Sequence, residues 1–348
     1  MCHFVLNRRK PSNGEVEKLL VDDFGFVTEQ LTNDISDKQL QALVGNPLLD
    51  ELGVVSVEPI EAVKKLSQGE RCNIDHEKRQ HDRLHRIRKY CNDSRNNKNI
   101  FHELPNRNHF NFVVSEKHKF IICYVPKTGS SQWKDLLLNI LATHPVTPNH
   151  DISLFDYTIF KFLNSYPSDQ RQRMLDSYQT FFFVREPFER LLSAYRDKFA
   201  GKTTSLYEEM GKKIVREVRG DSMGKSSGER PTFDEFTSYV DRLSDPSTWD
   251  MHWRPSHQTC YPCAINYDYV GYFETIKEDA DYILKRLGLD KEVEFPPFKS
   301  GTPKRLETHY SQIPLDRIIR LAEIYRVDFE MFGFKYPDSI KKLFKDWV

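Results

Sequence analysis

The sequence predicts an α/β fold in which a central parallel sheet of about four or five strands is flanked by helices. Three observations lead there. Short apolar runs stand at Phe120–Val125 and Thr180–Val184, with a third at Tyr269–Phe273, and continuous runs of this kind suit strands buried on both faces. Apolar residues at helical spacing follow each run. Proline and glycine punctuate the joins: Pro126 stops the first run, and Pro187 opens the helix after the second.

In chain order, residues 1–110 read as a partly ordered, stem-like region and residues 111–348 as the main domain. Within the first part, His76–Cys91 is basic and helix-like, with Leu84, Ile87 and Cys91 on one stripe. Its charges suit a solvated face or contact with a polyanion such as a sulfated glycan. A polar stretch through Asn111 precedes the strand Phe120–Val125, and the loop Lys127–Ser130 leads into a helix carrying Trp133, Leu136, Leu137, Ile140 and Leu141. The strand Thr180–Val184 leads into a helix with Leu191, Leu192 and Tyr195. Ala200–Arg230, charged and glycine-punctuated, reads as a long mobile insertion. Order returns where Thr232 and Glu235 form a capping box, and helices are expected at about Lys277–Leu287 and Leu315–Phe332, closed by Gly288 and Gly333.

Composition narrows the function. The 348 residues include 51 Lys+Arg and 51 Asp+Glu, so no global field favours nucleic acid or a membrane surface, and an anion site must be local. No apolar run approaches the roughly 18 residues of a bilayer span. MCHFVLNRRK lacks the apolar core of a secretory signal, so the chain as given reads as cytoplasmic.

Two βα turns carry anion chemistry. In Pro126-Lys127-Thr128-Gly129-Ser130-Ser131-Gln132, a buried strand turns into a helix, aiming backbone N–H groups and the helix dipole at one point. Lys127 adds charge, and Ser130 and Ser131 add hydroxyls. A nucleoside-triphosphatase loop places its lysine after the second glycine, whereas Lys127 precedes the glycine here. Gly220…Gly224-Lys225-Ser226 has one residue too few for that loop and reads as surface. In the second turn, Arg185 stands at the C-terminal edge of a strand, with Ser193 two turns along the next helix. Arg190 and Arg196 are expected at the surface or in ion pairs.

Here the sequence resembles a family. CYVPKTGSSQWK looks like the 5′-phosphosulfate loop of the Golgi carbohydrate sulfotransferases, and FFFVREPFERLLSAYRDKF looks like their 3′-phosphate motif. HWRPSHQTCYPCAINYDYVGYFET and YRVDFEMFGF resemble the family's C-terminal blocks, in the same order. The resemblance runs from about Arg83 to Tyr336, and is nearest to enzymes sulfating chondroitin, dermatan or terminal N-acetylgalactosamine at a 4-hydroxyl, or glucuronic acid at the 3-hydroxyl. It implies a P-loop-like, PAPS-dependent sulfotransferase fold, where PAPS is 3′-phosphoadenosine-5′-phosphosulfate. Pro126, Lys127, Thr128, Gly129, Ser130, Ser131 and Gln132 would hold the 5′-phosphosulfate, and Arg185 and Ser193 the 3′-phosphate. PAPS would be the co-substrate with no metal, and a glycan the acceptor. The place of work would be the Golgi lumen, reached through an N-terminal anchor outside this chain.

Cys260-Tyr261-Pro262-Cys263 is half of a zinc site whose other half is missing, so structural disulfides are expected, with the pairing left open. For proton removal from the acceptor, His252 is the first candidate, with His257, Glu189 and Glu274 in reserve, and Lys127 would stabilise charge on the leaving phosphate. Trp253 is expected to be exposed and to stack on a sugar ring. The rival readings are a P-loop kinase of a small alcohol or nucleoside, and a non-catalytic glycan-binding module.

Overall fold

The structure, a computed structural model, describes residues 68–93, 111–141, 159–201, 204–220, 230–245, 248–297 and 300–345. The chain divides into two units, Met1–Ile74 and Asp75–Val348, and the sheet and the site belong to the second.

The expected strands form at β2 (Phe120–Cys123), β4 (Gln179–Val184) and β5 (Tyr269–Tyr272), and they run parallel in that order. The sheet is not parallel throughout. A strand ahead of these, β1 (Phe112–Ser115), pairs antiparallel with β2 through a tight turn in which Lys119 has φ 53°, and the short β3 (Lys161–Phe162) pairs antiparallel with β1. The sheet order is β3-β1-β2-β4-β5. Four residues following a polar stretch carry too weak a period to separate β1 from its neighbour.

Along β4, Phe181 and Phe183 enter one core layer with Trp133 and Ile283, while Phe182 and Val184 enter the other with Tyr267 and Phe332. This alternation explains why the strand reads as uninterrupted phenylalanine: both faces are covered. On the first layer lie the helices Ser130–Leu141 and Ile276–Arg286.

The basic helix Gln68–Asn92 is more than a solvated face. Ile87, Tyr90 and Cys91 are buried. Gln80 exchanges two hydrogen bonds with the main chain of Val270, at 3.2 and 2.8 Å, so a side-chain amide closes the free edge of β5. Arg83 donates to the same carbonyl at 2.9 Å and pairs with the buried Asp279, also at 2.9 Å.

The stretch expected as a mobile insertion is partly a helix, Ser205–Arg219, with Tyr207, Ile214 and Val215 buried. Its charges hide a helical stripe that finds cover against the helix Phe233–Arg242. That second helix opens on the expected capping box, Glu235 N–H to Thr232 Oγ1 at 3.2 Å and Thr232 N–H to Glu235 Oε2 at 2.8 Å. Residues 221–229, with the Gly224-Lys225-Ser226 sequence, lie outside the described residues. The helix expected at Leu315–Phe332 breaks at Tyr325, whose hydroxyl donates to the Trp253 carbonyl at 2.6 Å.

Disulfides join Cys91 to Cys263 and Cys123 to Cys260. The two cysteines of the C-x-x-C sequence therefore reach different elements, the long N-terminal helix and the end of β2.

Candidate active site

The loop after β2 is shaped by two positive backbone angles, φ 73° at Lys127 and φ 81° at Gly129. The first intrahelical bond of the next helix runs from Trp133 N–H to Gly129 O at 3.1 Å, so the amides of Ser130, Ser131 and Gln132 precede the ladder and point out of the helix end. Thr128 is turned inward, its hydroxyl donating to Val125 O at 2.7 Å. An ion pair holds Lys127 Nζ 3.2 Å from Asp197 Oδ2. Burial pushes the Lys127 ammonium below the usual lysine range, against the pull of Asp197.

The second turn runs from β4 into the helix Pro187–Lys198, which Glu186 caps by accepting from the Phe188 and Glu189 amides at 3.1 and 2.7 Å. Burial pushes the Glu186 carboxyl up to about 8. Arg185 is buried over the Phe273 ring, 4.0 Å away. It donates to Glu189 at 3.1 and 3.3 Å, to Lys127 O at 3.2 Å and to Ser300 Oγ at 3.0 Å. Glu274 lies alongside, accepting from the Glu186 amide at 3.3 Å.

The two turns share one open cleft of about 280 Å³. Lys127, Gly129, Ser130, Ser131 and Gln132 form one wall, and Arg185, Ser193 and Arg196 a second. Phe273 and Ser300–Thr302 complete it. Of the residues expected to bind the nucleotide, Pro126 and Thr128 stand behind this lining and the others are on it.

His252 belongs to an adjoining constellation. Its Nδ1 lies 2.7 Å from Asp250 Oδ1, and the Tyr207 hydroxyl donates to Asp250 Oδ2 at 2.9 Å while lying 3.0 Å from His252 Nδ1. A carboxylate only accepts, so Nδ1 carries the proton and Nε2 is left as the basic nitrogen. Burial pushes the His252 pKa below the usual histidine value; Lys198 and Lys127 act the same way, against Asp250. The Lys127 charge thus reaches the ring.

Arg190 holds these parts together. It is not at the surface, and among the described residues it forms no ion pair: it is buried and donates to three main-chain carbonyls, Pro126 at 3.0 Å, Arg254 at 2.6 Å and Met251 at 2.8 Å. One guanidinium therefore ties the loop before Lys127 to the segment bearing His252. Trp253 is also not where it was expected. It is buried among Phe199 and Phe236, because its place after His252 turns it into the helical core. Of the reserve bases, His257 is buried 2.8 Å from Asp328, while Glu189 and Glu274 surround Arg185.

Sequence reasoning missed Asp197, Tyr207, Asp250 and the wall at Ser300–Thr302. Asp197 follows Ser193 by one helical turn, a spacing that could have found it. Tyr207 lies in a charged stretch with no such signal.

The sequence model of the sulfotransferase family matches residues 110–335, and the chain belongs to that family. It is 35% identical over 243 residues to carbohydrate sulfotransferase 11 of Rattus norvegicus, covering 66% of this chain and 68% of that protein. Carbohydrate sulfotransferase 9 of Homo sapiens is 31% identical over 333 residues, covering 92% of this chain and 73% of its own. Carbohydrate sulfotransferase 14 of Danio rerio is 36% identical over 234 residues, covering 65% and 63%. Within the family, then, the chain is a member of the carbohydrate sulfotransferases. No solved structure matches it.

Proposed function

We propose that this chain transfers a sulfonyl group from PAPS to a hydroxyl of a glycan, with a chondroitin, dermatan or other N-acetylgalactosamine-containing chain as acceptor. One observation carries the reading: a single cleft lined by both the Lys127–Gln132 loop and the Arg185–Ser193 turn. Its cations, hydroxyls and free helix-end amides fit a ligand with anionic groups at two places. The kinase reading lacks its loop, because the lysine precedes the glycine. Two disulfides suit an oxidising compartment such as the Golgi lumen.

Bound PAPS would supply the sulfonyl group. Lys127, Ser130, Ser131 and Gln132 would hold its 5′ end, with Lys127 offsetting charge on the departing phosphate oxygen, and Arg185 and Ser193 would hold its 3′-phosphate. His252, oriented by Asp250, would take the acceptor's proton at Nε2.

Thermal unfolding with added nucleotide tests the reading. Adenosine 3′,5′-bisphosphate should stabilise the protein by about 2.7 kcal/mol at a hundred times its dissociation constant, and ATP with magnesium much less. Equal stabilisation by the two would favour the kinase.

A further inference from the structure

Asp250 and His252 do not hold each other alone. Asp250 Oδ1 accepts from the His252 amide at 2.8 Å and from the His252 ring, whose Nδ1 is 2.7 Å away. Its other oxygen, Oδ2, accepts from the Tyr207 hydroxyl at 2.9 Å. A phenol donates one hydrogen bond and can accept at the same oxygen. With its proton directed at Asp250, the Tyr207 oxygen, 3.0 Å from Nδ1, is a second acceptor for the imidazole N–H. The three groups form a closed triangle that turns Nδ1 inward and leaves Nε2 as the basic nitrogen.

Tyr207 reaches this point from a separate element. It stands in the first turn of the helix Ser205–Arg219, 43 residues from Asp250 in sequence. Its ring is clamped: edge-on to Phe199 with centroids 6.1 Å apart, perpendicular to the His252 ring at 5.7 Å, and under Lys198 Nζ at 4.6 Å. Burial pushes the Tyr207 hydroxyl above the usual tyrosine range, and the charges of Asp250 and Asp197 push it the same way, so it stays a donor. Among the described residues, the charges acting on His252 are Asp250 on its own segment, Lys198 at the end of the helix Pro187–Lys198 and Lys127 on the first loop. Tyr207 is the neutral donor in that set.

We propose that Tyr207 is a positioning residue for proton removal: its hydroxyl fixes the Asp250 carboxylate and, with it, the orientation and tautomer of the His252 ring. This rests on the reading above, in which His252 Nε2 takes the acceptor's proton. Tyr207→Phe keeps the packed ring but leaves Asp250 Oδ2 without this donor. A carboxylate relieved of the phenol's proton attracts the imidazolium more strongly, so His252 becomes easier to protonate.

In the test, sulfonyl transfer from PAPS to desulfated chondroitin is followed against pH for the wild-type protein, Tyr207→Phe, His252→Ala and the double variant, and the affinity of each for adenosine 3′,5′-bisphosphate is measured. Tyr207→Phe should lower kcat about tenfold, the worth of a hydrogen bond to a charged group. It should also move the acid limb of the kcat/KM profile upward and leave bisphosphate affinity unchanged. In the His252→Ala background it should cost nothing further, because the hydroxyl acts through the ring. The same tenfold loss in that background, an unmoved acid limb, or a parallel fall in bisphosphate affinity would overturn the proposal. Near-normal turnover in His252→Ala, or none in the wild-type protein, would instead bring down the proposed function, and this proposal with it.

Discussion

Replacing Gly129 with alanine perturbs the loop in two separable ways. Its backbone has φ 81°, a conformation that a side chain disfavours by roughly 1–2 kcal/mol. A Cβ placed there would also lie 2.0 Å from Ile276 Cδ1, at the start of the helix packed on the sheet, whereas Ile276 Cγ1 would be 3.6 Å away. Such overlap must be relieved by moving a buried side chain, at a further cost of about 1–3 kcal/mol. Gly129→Ala should therefore destabilise the protein by about 2–5 kcal/mol in all. Valine at 276 lacks the offending Cδ1, and by itself Ile276→Val should cost about 0.5–1.5 kcal/mol. In the double variant the overlap disappears while the backbone strain stays. A double-mutant cycle by urea denaturation should then give a favourable coupling of about 1–3 kcal/mol. Additive effects would refute the claim that Ile276 fills the space behind the loop. A stability unchanged by Gly129→Ala would refute the loop conformation itself.

Two further outcomes follow from the site's supports. Serine at Cys123 or Cys260 breaks a link spanning 137 residues, and thermal or urea unfolding should register a loss of roughly 2–5 kcal/mol; an unchanged midpoint would mean the bond contributes nothing. The competent form of His252 is the neutral ring, so turnover should fall as pH drops through its pKa. Burial sets that pKa below 6.5 in the free protein, which puts the acid limb of the kcat/KM profile below 6.5, and a limb above it would contradict the assignment.

Much of the fold is legible because its core strands are buried on both sides, and a run such as Thr180–Val184 has few other uses. The proline and glycine signals at Pro187 and Gly333 likewise mark helix ends that the structure has. What escaped was set by tertiary partners. The antiparallel β1 is too short to announce itself, and the helix Ser205–Arg219 gains its cover from residues outside it, among them Phe199, the helix Phe233–Arg242 and His252. At the site, the loop and the arginine turn could be read because each is a local strand-to-helix signal. Arg190 could not: its meaning lies in three carbonyls, each more than 60 residues away in sequence. The same holds for Trp253, where an aromatic beside a histidine looks identical in sequence whether it faces a sugar or the core.

The central claim is sulfonyl transfer to a glycan. Its most direct test is incubation of the protein with PAPS labelled in the sulfonyl group and a panel of desulfated chondroitin, dermatan, heparan and N-glycan acceptors, followed by mapping of the labelled position. Label should appear on an N-acetylgalactosamine-containing acceptor, and His252→Ala should lower that turnover by about 10²–10⁴-fold while leaving adenosine bisphosphate affinity nearly unchanged. Binding of the bisphosphate with no label on any acceptor would contradict the account and leave a glycan-binding module in its place.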